Sequence, residues 1–369
     1  MKKKGFALIL VMVMAMSLLA ACGSSSTKSS NSSGSSSSTG SSNSSTSSNK
    51  QLKIGFAIKT QNSPYFVSLV NAVKKDAKAQ GWSVTVLDAN SSTQTEASNM
   101  ESFVAQKMDL IFIDAIDPSA AVPEINQAAA AGIPVIALDS GVDPSAKTVT
   151  TVYSDNKENG RLVGLAYAKK MANKAIKAVI LSGAKGNVAG KERREGLFAG
   201  IIEGKTGVSE AKAWKEAATF DNTLLSKGKA TDATAHFSVL GQGWGNWTEA
   251  DGLTAAEDLI TANPDLTTVL GENDQMLFGA MTALKNAGIS GVDLVAASDG
   301  AKQADDLIKQ GKYFGTGLNS PTIVASTGMG IAKQILVDGK SKSSYPKITL
   351  TPPVAVTKAN VNKYYNDGF

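Results

Sequence analysis

The sequence predicts an α/β protein of two Rossmann-like lobes, each a parallel sheet flanked by helices. Two observations carry this. Apolar, strand-like runs alternate one for one with amphipathic helical stretches from residue 52 onward, and strict alternation is the signature of parallel sheets covered on both faces. The alternating region, residues 50–369, is also long enough for two domains of ordinary size.

The first series starts with an apolar strand, Leu52–Lys59. Pro64–Gln80 follows as a helix, with Phe66, Leu69, Val70, Val73 and Ala77 at helical spacing, Ser63 as N-cap, Pro64 in the first turn and Gly81 after the end. Ser83–Asp88 is a strand, Thr95–Gln106 a helix, Asp109–Asp114 a strand, Ala120–Ala131 a helix and Pro134–Asp139 a strand. Val149–Tyr153 is a further strand, leading into helix Lys157–Met171. The second series runs Lys177–Ser182, Val188–Glu203, His236–Gly241, Glu249–Ala262, Thr267–Gly271, Asp274–Ala287, Asp293–Ser298, Ala301–Gln310, Phe314–Leu318 and Pro321–Val337, strand then helix throughout. Ile348–Leu350 and Val354–Val356 are short closing strands. The chain is expected to split near Asp155 and to cross back in its last 50 residues. The N-terminal lobe would hold 51–155 and 320–350, and the C-terminal lobe 156–319 and 351–369, joined by a three-segment hinge near Asp155, Asn319–Pro321 and Leu350–Pro353. Residues 207–234, with Trp214, make a long connection that reads as an extra surface helix.

The residues before the first strand read differently. Lys2, Lys3 and Lys4 precede an apolar run from Phe6 to Leu19, and Leu19-Ala20-Ala21-Cys22 follows. This is the pattern of a secretory signal, 1–21, too short for a comfortable membrane span. Cys22 is the sole cysteine, and the L-A-A-C ending resembles a bacterial lipobox, which implies that Cys22 becomes the lipidated first residue; the alternative is ordinary cleavage after Ala21 with a free thiol. Of residues 23–49, 17 are Ser, so 22–50 is expected to be a lipidated Cys and a disordered tether spanning roughly 25–30 Å. Anchor, tether and body describe a protein held on the outer face of a cell membrane. The Ser-rich tether favours a Gram-positive surface over a periplasm.

Composition excludes several functions. One Cys and one His, His236, cannot build a His/Cys zinc site or an intrachain disulfide. The full chain carries 37 Lys+Arg against 32 Asp+Glu; without Lys2, Lys3 and Lys4 the balance is 34 against 32. A near-neutral body with no basic cluster is a poor nucleic-acid binder. No cofactor or metal is called for. The glycine-rich stretch Gly183–Lys191 fails the phosphate-loop spacing, with Glu192 where Ser or Thr would meet magnesium.

Ligands of open parallel sheets bind beyond the carboxyl ends of the strands. There the chain places Ser63, Tyr65 and Phe66; Asp114 and Asp117; Asp139 and Ser140; Asn187 to Arg193; Trp244, Asn246 and Trp247; Glu272, Asn273 and Asp274; Asp299; and Asn319 and Ser320. Asp, Asn and the Arg fork suit vicinal hydroxyls, and flat rings suit the C–H faces of a sugar. Each residue has a blander reading. Ser63, Asn273, Asp299 and Asn319 or Ser320 precede helices and can be caps. Tyr65 and Phe66 can be helix packing. Lys191–Glu195 can be a solvated charge run, and Asp114 with Asp117 a strand-end turn.

Several ordered motifs resemble the ribose/galactose class of bacterial extracytoplasmic sugar-binding proteins, the type I periplasmic binding proteins of ABC transporters. They are Ile54-Gly55-Phe56 with Asn62-Ser63-Pro64-Tyr65-Phe66, Gly132–Asp139, Tyr153-Ser154-Asp155-Asn156, Glu192-Arg193 with Glu195-Gly196, Asn263-Pro264-Asp265, Glu272-Asn273-Asp274-Gln275 and Ser298-Asp299-Gly300. The resemblance spans about residues 52–356. It implies that Tyr65 and Phe66 are the N-lobe aromatic pair and Asp139 the N-lobe carboxylate. Arg193, Asn273 and Asp299 would be C-lobe polar ligands, Trp247 a stacking ring and Asn319 a contact near a hinge crossing. Ribose binders carry Arg after the N-lobe carboxylate, where this chain has Ser140. Trp247 and Asn319 are more similar to glucose/galactose relatives, which have an acidic residue in place of Ala189. The resemblance implies a monomeric, non-enzymatic lipoprotein that captures a small sugar or polyol and delivers it to an ABC permease. The alternative is a receptor that presents the bound ligand to a membrane signalling partner.

Overall fold

The computed structural model describes residues 51–369. The expected signal peptide, Cys22 and the Ser-rich tether lie outside the described residues. The chain begins with β1 (Lys53–Ile58), α1 (Pro64–Ala79), β2 (Ser83–Asp88), α2 (Thr93–Ala105), β3 (Leu110–Asp114), α3 (Val122–Ala130), β4 (Val135–Leu138) and β5 (Thr151–Ser154). Next come α4 (Asn156–Met171), β6 (Ile176–Ser182), α5 (Val188–Thr206), α6 (Glu210–Lys227), β7 (Ala230–Asp232), β8 (Phe237–Trp244), α7 (Glu249–Ala262), β9 (Thr268–Gly271) and α8 (Asp274–Asn286). The chain closes with β10 (Asp293–Ala296), α9 (Lys302–Lys309), β11 (Gly315–Gly317), α10 (Pro321–Leu336), β12 (Ile348–Thr351), β13 (Ala355–Thr357) and α11 (Val361–Tyr364).

Two sheets result. The first is six-stranded, in the order β12-β5-β4-β3-β1-β2, and all its pairings are parallel. The second is seven-stranded, β13-β11-β10-β9-β6-β8-β7. Its inner pairings are parallel, but both edge strands run antiparallel, β13 against β11 and β7 against β8. The parallel expectation holds for the inner strands and gives way at these edges: β7 turns straight back into β8 through residues 233–236, and β13 enters from β12 of the other sheet through residues 352–354, so neither arrives by a strand-helix-strand crossover within its own sheet. Each sheet is covered on both faces. Phe56 and Phe112 lie in one core of the first sheet, Met100 and Phe103 in the other. Phe198 and Phe237 lie under one face of the second, Leu277 and Phe278 under the other. Burial on both faces explains why β1, β3 and β4 read as continuous apolar runs.

The chain passes between the sheets three times: from β5 into α4, from β11 into α10, and from β12 to β13. Residues 207–234 form helix α6 and edge strand β7; Ala213, Ala217, Phe220 and Leu224 bury one face of α6 against the second sheet's core. Helices α4 and α5 meet through glycines. A Cβ on Gly160 would lie 2.6 Å from the Arg193 carbonyl oxygen, and one on Gly164 2.5 Å from that of Leu197. This contact sets the height of α5, and with it the Arg193 side chain.

Candidate ligand-binding cleft

A cavity of about 560 Å³ opens between the two sheets, lined by residues at or just beyond the carboxyl ends of their strands. That volume lies within the usual range for small-molecule sites, about 300–1,000 Å³. Tyr65, Phe66, Asp139, Arg193, Trp247, Asn273, Asp299 and Asn319 all line it. Ser140 does not; it turns behind Asp139, where its hydroxyl accepts a hydrogen bond from Lys59 Nζ at 2.7 Å.

Pro64 opens α1 and sets Tyr65 and Phe66 on its first turn. The two rings meet edge to face, centroids 5.5 Å apart. The packing reading of Tyr65 is only half the story. Its ring is buried, and its hydroxyl donates to Asp139 Oδ1 at 2.6 Å and lies 3.1 Å from Asn319 Oδ1. Burial, then the Asp139 charge, pushes the phenol well above its ordinary pKa, so it is a fixed donor. Lys59, just past β1, stands 3.2 Å from Asp114 and 3.4 Å from Asp139, with its ammonium 4.6 Å from the centre of the Phe66 ring. Burial works against its charge, but Asp114 and then Asp139 outweigh that and raise its pKa. Asp114, fully buried, is pushed up to about 7 by desolvation against the opposing pull of Lys59. The strand-end turn reading fits Asp117, whose carboxylate accepts from Ser119 and Ala120 backbone N–H groups.

The opposite wall is built from the second sheet. Arg193, on the first half of α5, donates to Asp299 at 2.9 Å, to Asn156 at 2.9 Å and to the Glu272 carbonyl at 3.3 Å. Its guanidinium lies 5.5 Å from the Trp247 ring centre. The solvated reading of Lys191–Glu195 therefore fails at its centre. Arg193 and Arg194 are both buried, and Arg194 pairs with Asp221 and Glu272 at 2.5 Å each. Asp221 belongs to α6, so the extra helix supplies a counter-ion one residue away from the cleft. Trp247 adopts a left-handed backbone, φ 65°, and its ring covers Gly183 so closely that no side chain fits there.

The capping expectations divide. Asn273 caps α8, accepting from Met276 N–H at 3.1 Å, and still lines the cavity. Ser320 caps α10. Ser63 makes no side-chain cap bond. Asp299 caps nothing, because α9 starts after Ala301; its carboxylate faces Arg193 instead. Burial raises its pKa and Arg193 opposes the rise. His236 is exposed just before β8. No group of three or more His, Cys, Asp or Glu among the described residues is arranged to hold a metal ion.

The lining residues that were not singled out from the sequence include Lys59 and Phe369. Lys59 had a signal, since it follows β1 as Asp139 follows β4. Phe369 had none.

The chain matches the model of a periplasmic binding protein domain over residues 54–341. It is 31% identical to the ribose import binding protein RbsB of Bacillus subtilis over 78% of this chain and 82% of that one. It is 26% identical to a xylitol-binding protein of Mycolicibacterium smegmatis over 78% of this chain and 72% of that one. Among solved structures, an ABC transporter periplasmic solute binding protein from Actinobacillus succinogenes with bound D-allose superposes with a TM-score of 0.70 at 25% identity, over 85% of this chain and all of that one. A Mycobacterium smegmatis solute binding protein with bound glycerol gives the same TM-score at 26% identity, over 85% of this chain and 97% of that one.

Proposed function

Because the chain belongs to the periplasmic binding protein family, we propose that its cleft captures a small neutral sugar or polyol and hands it to an ABC importer. It is a solute-binding protein, not an enzyme, and it works outside the cytoplasm. One observation carries the ligand class. Both cations of the cavity wall are already matched, Lys59 by Asp114 and Asp139, and Arg193 by Asp299. A phosphorylated or acidic sugar would bring a charge with no free counter-ion. A neutral polyhydroxyl ligand needs none: each paired side chain keeps acceptor or donor capacity for its hydroxyls, and Tyr65, Phe66 and Trp247 offer apolar contact.

The binding residues proposed are Tyr65, Phe66, Asp139, Arg193, Trp247, Asn273, Asp299 and Asn319, with Lys59 added and Ser140 moved to a supporting place behind Asp139. The two lobes, 51–155 with 320–350 and 156–319 with 351–369, would close on the ligand about the three crossings. Lipidation at Cys22 would hold the protein on the outer face of the membrane beside its permease. It is supported by the L-A-A-C ending after an apolar run.

The test is a thermal-shift screen with D-ribose, xylitol, D-allose, myo-inositol and their phosphates. A ligand at 100 times its Kd stabilises by about 2.7 kcal/mol. Stabilisation by a neutral member and by none of the phosphates is expected. A phosphate binding more tightly than its parent sugar would overturn the charge argument.

A further inference from the structure

Phe369, the last residue of the sequence, lies outside every strand and helix, yet its ring packs against core residues of both lobes. Its centroid lies 5.4 Å from that of Tyr65 at an interplanar angle of 88°. Three rings, Phe66, Tyr65 and Phe369, therefore run edge to face along one wall of the cavity. The backbone leading to Phe369 is held elsewhere. Val361 is buried in the second lobe's core. Ser320 Oγ, at a crossing, donates to the Asp367 carbonyl at 2.6 Å. Lys302 N–H donates to the Phe369 carbonyl at 3.1 Å. Gly368 passes so near Gly300 that a Cβ on it would lie 2.9 Å from the Gly300 carbonyl oxygen.

The main chain is thus fastened to the second lobe beside Asp299 and to the crossing at Ser320, while the side chain rests on the first lobe's Tyr65. We infer that Phe369 is a ligand-site residue shared by both lobes: its ring forms part of the apolar wall against which the ligand's C–H face packs, and it straps the lobes together in the closed arrangement. The first role rests on the sugar or polyol reading of the cleft; the second rests on the ring geometry alone. Opening the lobes would pull Phe369 from Tyr65 and lose an edge-to-face pair, so the contact biases the ligand-free protein toward closure.

The experiment compares the wild-type protein with Phe369→Ala and Phe369→Tyr. Titration calorimetry uses D-ribose, xylitol, D-allose and myo-inositol, and small-angle scattering measures the ligand-free radius of gyration. Phe369→Ala should weaken the bound member of that panel by roughly tenfold and enlarge the ligand-free radius of gyration. Phe369→Tyr, which keeps the ring, should restore both. Unchanged affinity and radius in a cooperatively melting Ala variant would overturn the inference. If the wild type binds no member of the panel, the sugar reading has failed and scattering decides: an unchanged radius sinks the strap, an enlarged one sustains it. If the Ala variant does not fold, Phe369→Leu replaces it, with the same two outcomes.

Discussion

Asp299→Asn and Arg193→Met remove opposite ends of one buried pair, and their effects should separate. In Asp299→Asn the guanidinium keeps Asn156, the Glu272 carbonyl and the Trp247 face. The buried negative charge, whose pKa burial already raises, is gone. Ligand-free stability should fall, since a buried guanidinium loses its counter-ion, but the partners it keeps make the loss smaller than in Arg193→Met. Affinity should fall more, because a charged acceptor becomes neutral. Hydrogen bonds to charged groups are worth about 1.5–3 kcal/mol, or roughly 10- to 150-fold in Kd. Arg193→Met instead strands a carboxylate whose side chain is 9% exposed, and losing one partner of a buried pair costs about 3–5 kcal/mol. That loss has a pH sign. Without Arg193 the Asp299 pKa rises further above its unfolded value, so the folded state binds the extra proton. The variant should be nearest to wild type at low pH and fall behind as pH rises through the carboxylate range. The double variant should regain stability without regaining affinity. The assays are thermal melts across pH and calorimetric titration with the neutral hit of the screen. If Arg193→Met melts no lower than Asp299→Asn at neutral pH, or if Asp299→Asn binds as wild type does, the pair does not have the role assigned to it.

Glu96 is buried, with Oε2 accepting from Ile116 N–H at 2.9 Å, and burial pushes it up to about 7. Its folded pKa exceeds its unfolded one, so it subtracts stability as pH rises between about 4.5 and 7. Melts from pH 5 to 8 should show Glu96→Gln losing a drop on the order of 3 kcal/mol that wild type displays; parallel curves would contradict this. Gly160→Ala puts a methyl group 2.6 Å from the Arg193 carbonyl oxygen. It should cost about 1–3 kcal/mol in denaturant titrations and weaken ligand binding as well, because α5 carries Arg193. Cys22→Ser should release the protein from membranes into the soluble fraction with ligand affinity intact; retention on membranes would count against lipid anchoring.

What could be read from the chain alone follows from the range of the physics involved. Strand and helix alternation is local, so both lobes and the strand-end positions of Asp139, Asn273 and Asp299 were legible. The antiparallel edges were not, since β7 and β13 are three residues each and carry no period. The run Lys191–Glu195 looked solvated because its neutralising partners are remote: Asp221 lies 27 residues from Arg194, and Asp299 lies 106 from Arg193. The link between Ser140 and Lys59 was hidden in the same way. Lys59 follows a different strand, and only the fold brings the two within 2.7 Å. Phe369 is the extreme case, 304 positions from the ring it touches.

The three passages between the sheets give the molecule a redundancy of connection. Two domains on a single linker become two independent bodies when that linker is cut. Here a break at any one passage leaves two others in place, with the β12 and β13 edges still paired to β5 and β11. A chain nicked by a protease at one passage should run as two pieces under denaturing conditions and as one body under native ones. The same redundancy makes each passage a place where the chain's ends could be relocated, or a reporter spliced in, without dividing the protein in two.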